Sequence, residues 1–433
     1  MRAGGGTDAD SEARSAVSGV EQTTEGGDAP GGARGDDDGG ARLRVVHVID
    51  SLAGSGGAEN RLVDEVVALT DRFDQTVVRL FERDFLEARL AAAGVPVVAL
   101  GFRAGRAGRT WPIVGHRLAG VLRGLRPDVI HTSLFTGNLV GQLAGARLRV
   151  PVVSTFNRTG ESHLQRALQP GVASWKGRVM QAVGRAAARR GDVHHRAVGE
   201  YARETNCASL GLPLEAATVV PRGVAVDRAA LGSPDRGAFG LPDGVPLFVN
   251  VARQVPEKGQ HLLVEAFAEV RRALPDARLA IAGDPGPATP AITAAIERAG
   301  LGDAVALLGF RDDARALVAA ADVFAFSSLS EGSPGAVVEA LVLGTPVAAF
   351  GIRPVTELTH GDEHATLAEP GDHAALAAAM LAAHGAPDRD RRAAAAQAWA
   401  AERYSLEAVA TQLGDLLEAR ASRAARRPGG RRR

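Results

Sequence analysis

Ser327–Val347 reads SSLSEGSPGAVVEALVLGTPV, and this stretch decides the fold. The apolar run VFAFSS at 323–328 has the length and composition of a buried strand. A short polar loop, Leu329 to Ser333, follows it. Pro334 then stands where a helix would begin, because its fixed φ suits the first turn and its missing N–H is not needed there. Ala336, Val337, Val338, Ala340, Leu341 and Leu343 carry that helix to Gly344, which fits a cap, and TPVAAF opens the next strand. Strand, loop, helix and strand in this order make one crossover of a parallel sheet.

Two carboxylates stand out in this unit. Glu331 lies in the loop, and Glu339 lies about two turns inside the helix among apolar neighbours, which points it at a cleft. Between them Gly332, Ser333, Gly335 and Ala336 leave backbone N–H groups open at a helix N-terminus, an arrangement that favours anions. A phosphorylated, hydroxyl-rich ligand would find phosphate donors and hydroxyl acceptors here. From this stretch alone, an ordinary crossover with an exposed loop glutamate reads the same.

Working outward, 433 residues suffice for two to three domains, and 45 % hydrophobic residues can fill a large core. A net charge of zero gives no electrostatic case for nucleic acid. The single cysteine, Cys207, excludes a disulfide framework and fits a reducing compartment. No uncharged apolar run is long enough for a transmembrane helix and no secretory signal is evident, so a cytoplasmic location is expected. Of the 50 basic residues only Lys176 and Lys258 are lysines, which marks Lys258 as a position to explain.

Residues 1–41 are rich in Gly, Asp, Glu and Ser and are expected to form a disordered acidic tail. A first half, 42–225, follows. LRVVHVIDS, TVVRLF, PVVAL, DVIHTS, PVVSTF, HRAVGE and ATVVP read as strands with helices between them, which argues for a parallel sheet covered on both faces. The glycines of GSGGAE at 54–59 allow close backbone approach at a helix N-terminus, although Glu59 breaks a dinucleotide-type spacing. The basic segment 174–190 reads either as a contact for an anionic membrane surface or as a solvated rim helix. Residues 226–245 read as an interdomain linker. A second half, 246–385, has five expected strands, LFVNVA, RLAIAG, AVALLG, VFAFSS and PVAAF; terminal helices, 386–419, and a basic tail, 420–433, follow.

Open sheets of this type bind ligands at the carboxyl ends of their strands, where Glu331, the 253–258 loop and Gly283 fall. In VARQVPEKGQHLLVEAF, Arg253 ends a strand and Lys258 opens a helix, aiming both cations at the crevice of Glu331. A planar fork beside a movable point charge suits a diphosphate.

These segments together resemble the family 4 retaining glycosyltransferases. The carrying residues are GSGGAE at 54–59, VARQVPEKG at 251–259, LGFRDDARALVAAADVFAFSS at 308–328 and EGSPGAVVEALVLGTPV at 331–347, and the similarity spans about 43–417. The resemblance implies an α/β GT-B fold: two Rossmann-like, doubly wound parallel-sheet domains facing across a cleft, with a C-terminal helix. It implies that Arg253 and Lys258 bind the donor diphosphate and stabilise the leaving nucleotide, and that Glu331 with Gly332, Ser333, Pro334 and Gly335 orients the donor sugar. Glu339 would accept hydrogen bonds from the ribose, Gly283 would border the donor, and Phe310 would lie near the base. Gly56 and Gly57 would let the N-terminal domain approach the phosphates and the acceptor. The implied reaction is front-face transfer from a nucleotide-sugar to a hydroxyl acceptor (polysaccharide, glycolipid or small molecule) with no metal and no cofactor.

Three positions depart from the pattern. Asn157 stands where many relatives have a histidine, Ser333 where an aromatic residue is common, and Arg222 where asparagine is usual. His131 and Asn157 are the acceptor-side candidates; His131 is either a substitute for the missing histidine or a packed strand-end histidine. A nucleotide-sugar epimerase of the same fold and a non-catalytic carbohydrate-binding subunit are the alternative readings. Peripheral contact with the inner face of an anionic membrane would rest on 174–190 and the arginine tail.

Overall fold

A computed structural model describes residues 42–53, 57–82, 84–103, 107–157, 182, 185–186, 192–225, 231 and 235–426. The acidic stretch 1–41, nearly all of 174–190 and the last arginines lie outside these residues.

The first half builds one all-parallel sheet from β1 (Arg44–Ile49), β2 (Asp74–Phe81), β3 (Val97–Phe102), β4 (Val129–Thr132), β5 (Val152–Phe156), β6 (Val193–Ala197) and β7 (Ala217–Val219). Its described helices are α1 (Gly57–Ala68), α2 (Glu87–Ala92), α3 (Ala107–Leu125), α4 (Phe135–Leu148) and α5 (Glu200–Leu210). The strand order is β3-β2-β1-β4-β5-β6-β7. Successive side chains leave a strand on opposite faces. Val46, Val48 and Ile130 therefore pack with Leu118 of α3 and Val140 of α4, while Val45, Val129 and Val153 face the other way.

The second half repeats this plan with β8 (Leu247–Val251), β9 (Arg278–Ala282), β10 (Val305–Gly309), β11 (Val323–Phe326), β12 (Val347–Phe350) and β13 (Thr366–Ala368), in the order β10-β9-β8-β11-β12-β13. Its helices are α6 (Gln260–Ala273), α7 (Thr289–Arg298), α8 (Ala314–Ala320), α9 (Gly335–Leu343), α10 (Arg353–Thr359) and α11 (His373–Gly385). Strand β13 is a sixth strand beyond the expected five; its three residues, two partly buried and one buried, are too few to show a period. In both sheets the order reverses beside the first strand, and the loops that gather at that switch point form the crevice of a GT-B fold.

Two terminal helices follow, α12 (Arg389–Tyr404) and α13 (Leu406–Ala425). Between them the chain returns to the first half: Val224 N donates to Tyr404 O at 2.8 Å and Leu406 N to Val224 O at 3.2 Å. On α13, Val409, Leu413, Leu417 and Ala421 recur every four residues and cover Val45, Val129 and Val153 of the first sheet. Because this stripe continues through Ala421, the helix extends past the expected start of the basic tail. Arg420 is buried and ion-paired with Asp192, so it is not a tail residue. The described part of the expected linker, 235–245, is also not free. Phe239 and Leu241 are buried in the second core, and Arg236 donates to Val245 O at 2.6 Å and pairs with Asp322 at 3.0 Å. Among the described residues no helix is long and apolar enough to cross a membrane.

A buried polar chain crosses the first sheet. His47 Nε2 lies 2.9 Å from Gln75 Oε1, His47 Nδ1 lies 3.0 Å from His131 Nδ1, and His131 Nε2 lies 2.9 Å from Thr155 Oγ1. Gln75 Nε2 donates to Val66 O, so its oxygen faces His47. One tautomer set satisfies every atom: His47 donates from Nε2 and accepts at Nδ1, while His131 donates from Nδ1 and accepts the Thr155 hydroxyl. His131 is thus a core residue, 1 % exposed, and is unavailable to an acceptor. All four residues of β4 are buried, because helices cover the sheet on both faces, and His131 is one of them.

Both rings must stay neutral. Burial pushes His47 down to about 4, against the Gln75 hydrogen bond, and burial, then the His47 charge, holds His131 well below the ordinary range. His194 and His195 are lowered to about 4 and about 3, chiefly by burial, while burial raises Asp50 to about 6 and works the opposite way. The unfolded chain therefore takes up histidine protons that the folded chain refuses as pH falls from about 6.5 towards 4, and stability drops in that window. His47 alone is expected to remove about 2 kcal/mol between pH 7 and 5, and Asp50 to return about 1 kcal/mol. Urea unfolding at the two pH values checks the net loss.

Candidate active site

Two loops of the second half are stitched together at the carboxyl ends of β8 and β11. Ser327 Oγ donates to Lys258 O at 2.9 Å, and Leu329 N donates to Glu257 O at 2.9 Å. Gly259 makes this approach feasible: its φ is +58°, and a Cβ there would lie 2.3 Å from Ser327 O. The result brings Lys258 Nζ to 2.5 Å from Glu331 Oε1, with side chains only 18 % and 12 % exposed. The sequence reading aimed Lys258 and Arg253 at the crevice of Glu331, and the fold brings Lys258 to that carboxylate. It does not bring Arg253 there. Arg253 is exposed beyond the end of β8; its carbonyl accepts from Val255 N at 2.9 Å, and its side chain makes no hydrogen bond or ion pair among the described residues.

The strand ends beneath are held by a polar lattice. Asn250 Nδ2 donates to Ala325 O, Gln260 Nε2 donates to Asn250 Oδ1, and Thr289 Oγ1 donates to Gln254 Oε1. Gly283, a predicted donor-side residue, has φ +148° and no room for a side chain, since a Cβ would fall 1.9 Å from Ala252 O. Gly283→Ala is expected to cost more than about 2 kcal/mol. Gly302→Ala, in open space, serves as the comparison in denaturant unfolding.

Helix α9 begins at Gly335, directly after the buried Pro334, and ends on Gly344 at φ 73°. Gly332 and Ser333 border a cavity of about 300 Å3 shared with Val198, Pro221, Glu357 and Tyr404. Glu339, one face down the helix, meets the first half of the chain. Its Oε1 accepts from Arg61 of α1 at 2.5 Å and from Arg315 of α8 at 3.3 Å. Arg61 also donates to Gly223 O at 3.0 Å, and Arg315 to Ala225 O at 2.8 Å. A Cβ on Gly335 would lie 3.5 Å from the Arg61 guanidinium, an ordinary contact. Sequence reasoning missed Arg61 and Arg315. A second contact between the halves caps α5: Glu357 Oε2 accepts from Tyr201 N at 3.1 Å, and Arg353 pairs with Glu204 at 2.7 Å.

On the first-half wall, Gly57 opens α1, while Gly54 and Gly56 lie outside the described residues. Glu59 is buried and accepts from Ser51 Oγ, and Asp50 accepts from Gly137 N at 2.6 Å. Glu65 holds Arg196 in a bidentate pair, 2.7 Å on each arm. Asn157, at the end of β5, donates to Ser133 Oγ at 3.2 Å and accepts from Arg222 at 2.8 Å. Phe310 follows the carboxyl end of β10 and is 63 % exposed.

Two sheets of matching topology, with a cation–carboxylate pair at the switch point of one and arginines on the facing wall, correspond to known proteins. Residues 55–228 match the family described as Glycosyltransferase Family 4, and residues 245–385 match Glycosyl transferases group 1. The 2-deoxystreptamine N-acetyl-D-glucosaminyltransferase of Streptomyces fradiae is 30 % identical over 297 residues, covering 64 % of this chain and 68 % of that enzyme. The 2-deoxystreptamine glucosyltransferase of Streptomyces kanamyceticus is 36 % identical over 177 residues, 39 % of this chain; the match spans 46 % of that enzyme, less than half its length. Among solved structures, Anabaena HepE in complex with UDP superposes with a TM-score of 0.72 at 23 % identity, over 87 % of this chain and 100 % of HepE. The chain belongs to the family 4 glycosyltransferases.

Proposed function

We propose that this chain moves a sugar from a nucleotide-diphosphate-sugar donor to a hydroxyl acceptor, with retention at the anomeric carbon and without a metal. The observation that carries the reading is the Lys258–Glu331 pair at 2.5 Å, set beside the N-terminus of α9. A lysine there puts positive charge where a departing diphosphate gathers negative charge, and preorganised charge of this kind is usually the largest contribution to such transfers. Arg253, whose side chain has no partner among the described residues, turns its fork onto the phosphates. Glu331 exchanges its lysine partner for sugar hydroxyls. Glu339, kept in place by Arg61 and Arg315, accepts from the ribose. In front-face transfer the bond from the anomeric carbon to the diphosphate oxygen breaks and the acceptor oxygen bonds on the same face. The acceptor proton passes to the departing phosphate oxygen, which serves as the base.

The names of the relatives support a sugar transfer, and HepE, solved with UDP and with UDP-glucose, supports a nucleotide-sugar donor. Incubating the purified protein with a panel of UDP-, GDP- and ADP-sugars tests the reading. Slow nucleotide release from one donor, lost in Lys258→Ala, is expected. No release from any donor, together with no binding of free nucleoside diphosphates, overturns it.

A further inference from the structure

The two departures from the family pattern on the first-half wall touch each other. Arg222 Nη2 donates to Asn157 Oδ1 at 2.8 Å and to Asn157 O at 3.2 Å. We propose that Arg222, anchored by Asn157, forms a subsite for an anionic sugar substrate, one that carries a carboxylate or a phosphate ester beside the reacting centre. This rests on the transferase reading.

The geometry leaves Arg222 poised for an anion. The carboxylates nearby are paired with other arginines: Glu65 through both oxygens with Arg196, and Glu339 through Oε1 with Arg61 and Arg315. Among the described residues no carboxylate pairs with Arg222, and both of its acceptors are neutral atoms of Asn157. Its Nε and Nη1 donate to nothing among the described residues, and the residue is only partly buried, so two edges of a planar fork remain open. Three arginines, Arg61, Arg196 and Arg222, line one narrow crevice with a single carboxylate, Glu65. Burial, then the charge of Arg196, pushes the Arg222 guanidinium down to about 10, and an anion at its open edges would favour the charged form again. Pro221, next to it in the chain, borders one cavity with Gly332 and Ser333 of the Glu331 loop, which sets Arg222 on the first-half wall that faces that loop. An asparagine at 222 would be too short and uncharged, and a histidine at 157 would lose the amide oxygen that anchors the fork. A guanidinium fork matches carboxylate and phosphate geometry, so both anions belong to one chemical class here.

Two sources can carry that group, the acceptor or the donor sugar, and calorimetric titration separates them. With UDP saturating, glucose 6-phosphate and glucuronate are compared with glucose; separately, UDP-glucuronate is compared with UDP-glucose. The acceptor source predicts that an anionic free sugar binds about tenfold or more tighter than glucose. The donor source predicts the same preference for UDP-glucuronate instead. Either preference is expected to vanish in Arg222→Gln, to survive in part in Arg222→Lys, and to weaken in Asn157→Ala, whose melting temperatures report whether each variant is folded. If wild-type protein shows no anion preference in either arm, or if Arg222→Gln keeps it, the subsite is overturned. Nucleotide release by the wild type reports on the transferase reading separately: release without an anion preference leaves that reading standing and removes only this one.

Discussion

Glu65→Ala is expected to cost about 3–5 kcal/mol of stability, the largest effect of any single change considered. Glu65 and Arg196 are 3 % and 2 % exposed and face each other through two 2.7 Å hydrogen bonds. Arg196 also donates to Val220 O at 3.0 Å and to Pro221 O, so it holds the chain where it leaves β7 for the second half. Removing the carboxylate leaves a guanidinium in the core with only carbonyl partners. The arginine cannot shed its proton at ordinary pH, so the site keeps an uncompensated charge. Replacing both partners with apolar residues of similar size removes the charge as well as the bond, and Glu65→Leu with Arg196→Met is expected to recover most of the loss. Urea unfolding of the single and double variants decides this. A single-variant loss below about 1 kcal/mol would mean that water reaches Arg196 and that the pair is not a buried one.

Lys258→Ala is expected to lower the rate of nucleotide release by about 100- to 1000-fold, the size usually lost with one preorganised group at the developing charge. The variant has two consequences. It removes the positive charge beside the leaving diphosphate, and it leaves Glu331, 12 % exposed, without its 2.5 Å partner. The second consequence acts on stability and is read by melting; the first acts on turnover and persists at saturating donor. Lys258→Arg tests geometry, since it keeps the charge but replaces a movable ammonium with a planar fork. A release rate within threefold of wild type in Lys258→Ala would show that the lysine is a structural partner of Glu331 and no more.

How much of this was legible beforehand depends on the range of each interaction. The pairing of Lys258 with Glu331 spans 73 residues, yet it could be anticipated. Each residue ends a recognisable strand–loop unit, and adjacent strands of one sheet bring such loops together. His131 was ambiguous because a strand covered on both faces carries no polar-apolar alternation to say which way a side chain points. The end of α13 was placed early because the arginines beyond Arg420 look like a solvated run until the Leu413–Leu417–Ala421 stripe is seen against the first sheet. Arg222 had no account in the sequence because its partner, Asn157, lies 65 residues away on a different strand end.

The alternation of apolar runs and helical periods determined, without any tertiary information, that this chain makes two parallel sheets with loops converging at their carboxyl ends. The period of each element is a local property, and the right-handed crossover rule turns a succession of such elements into sheets. The docking of the two halves was decided only in three dimensions. Arg61 reaches Glu339 across 278 residues, and Arg196 reaches Glu65 across 131. Neither pair leaves a trace in local spacing, because a charge chooses its partner by position and desolvation after the backbone has been placed.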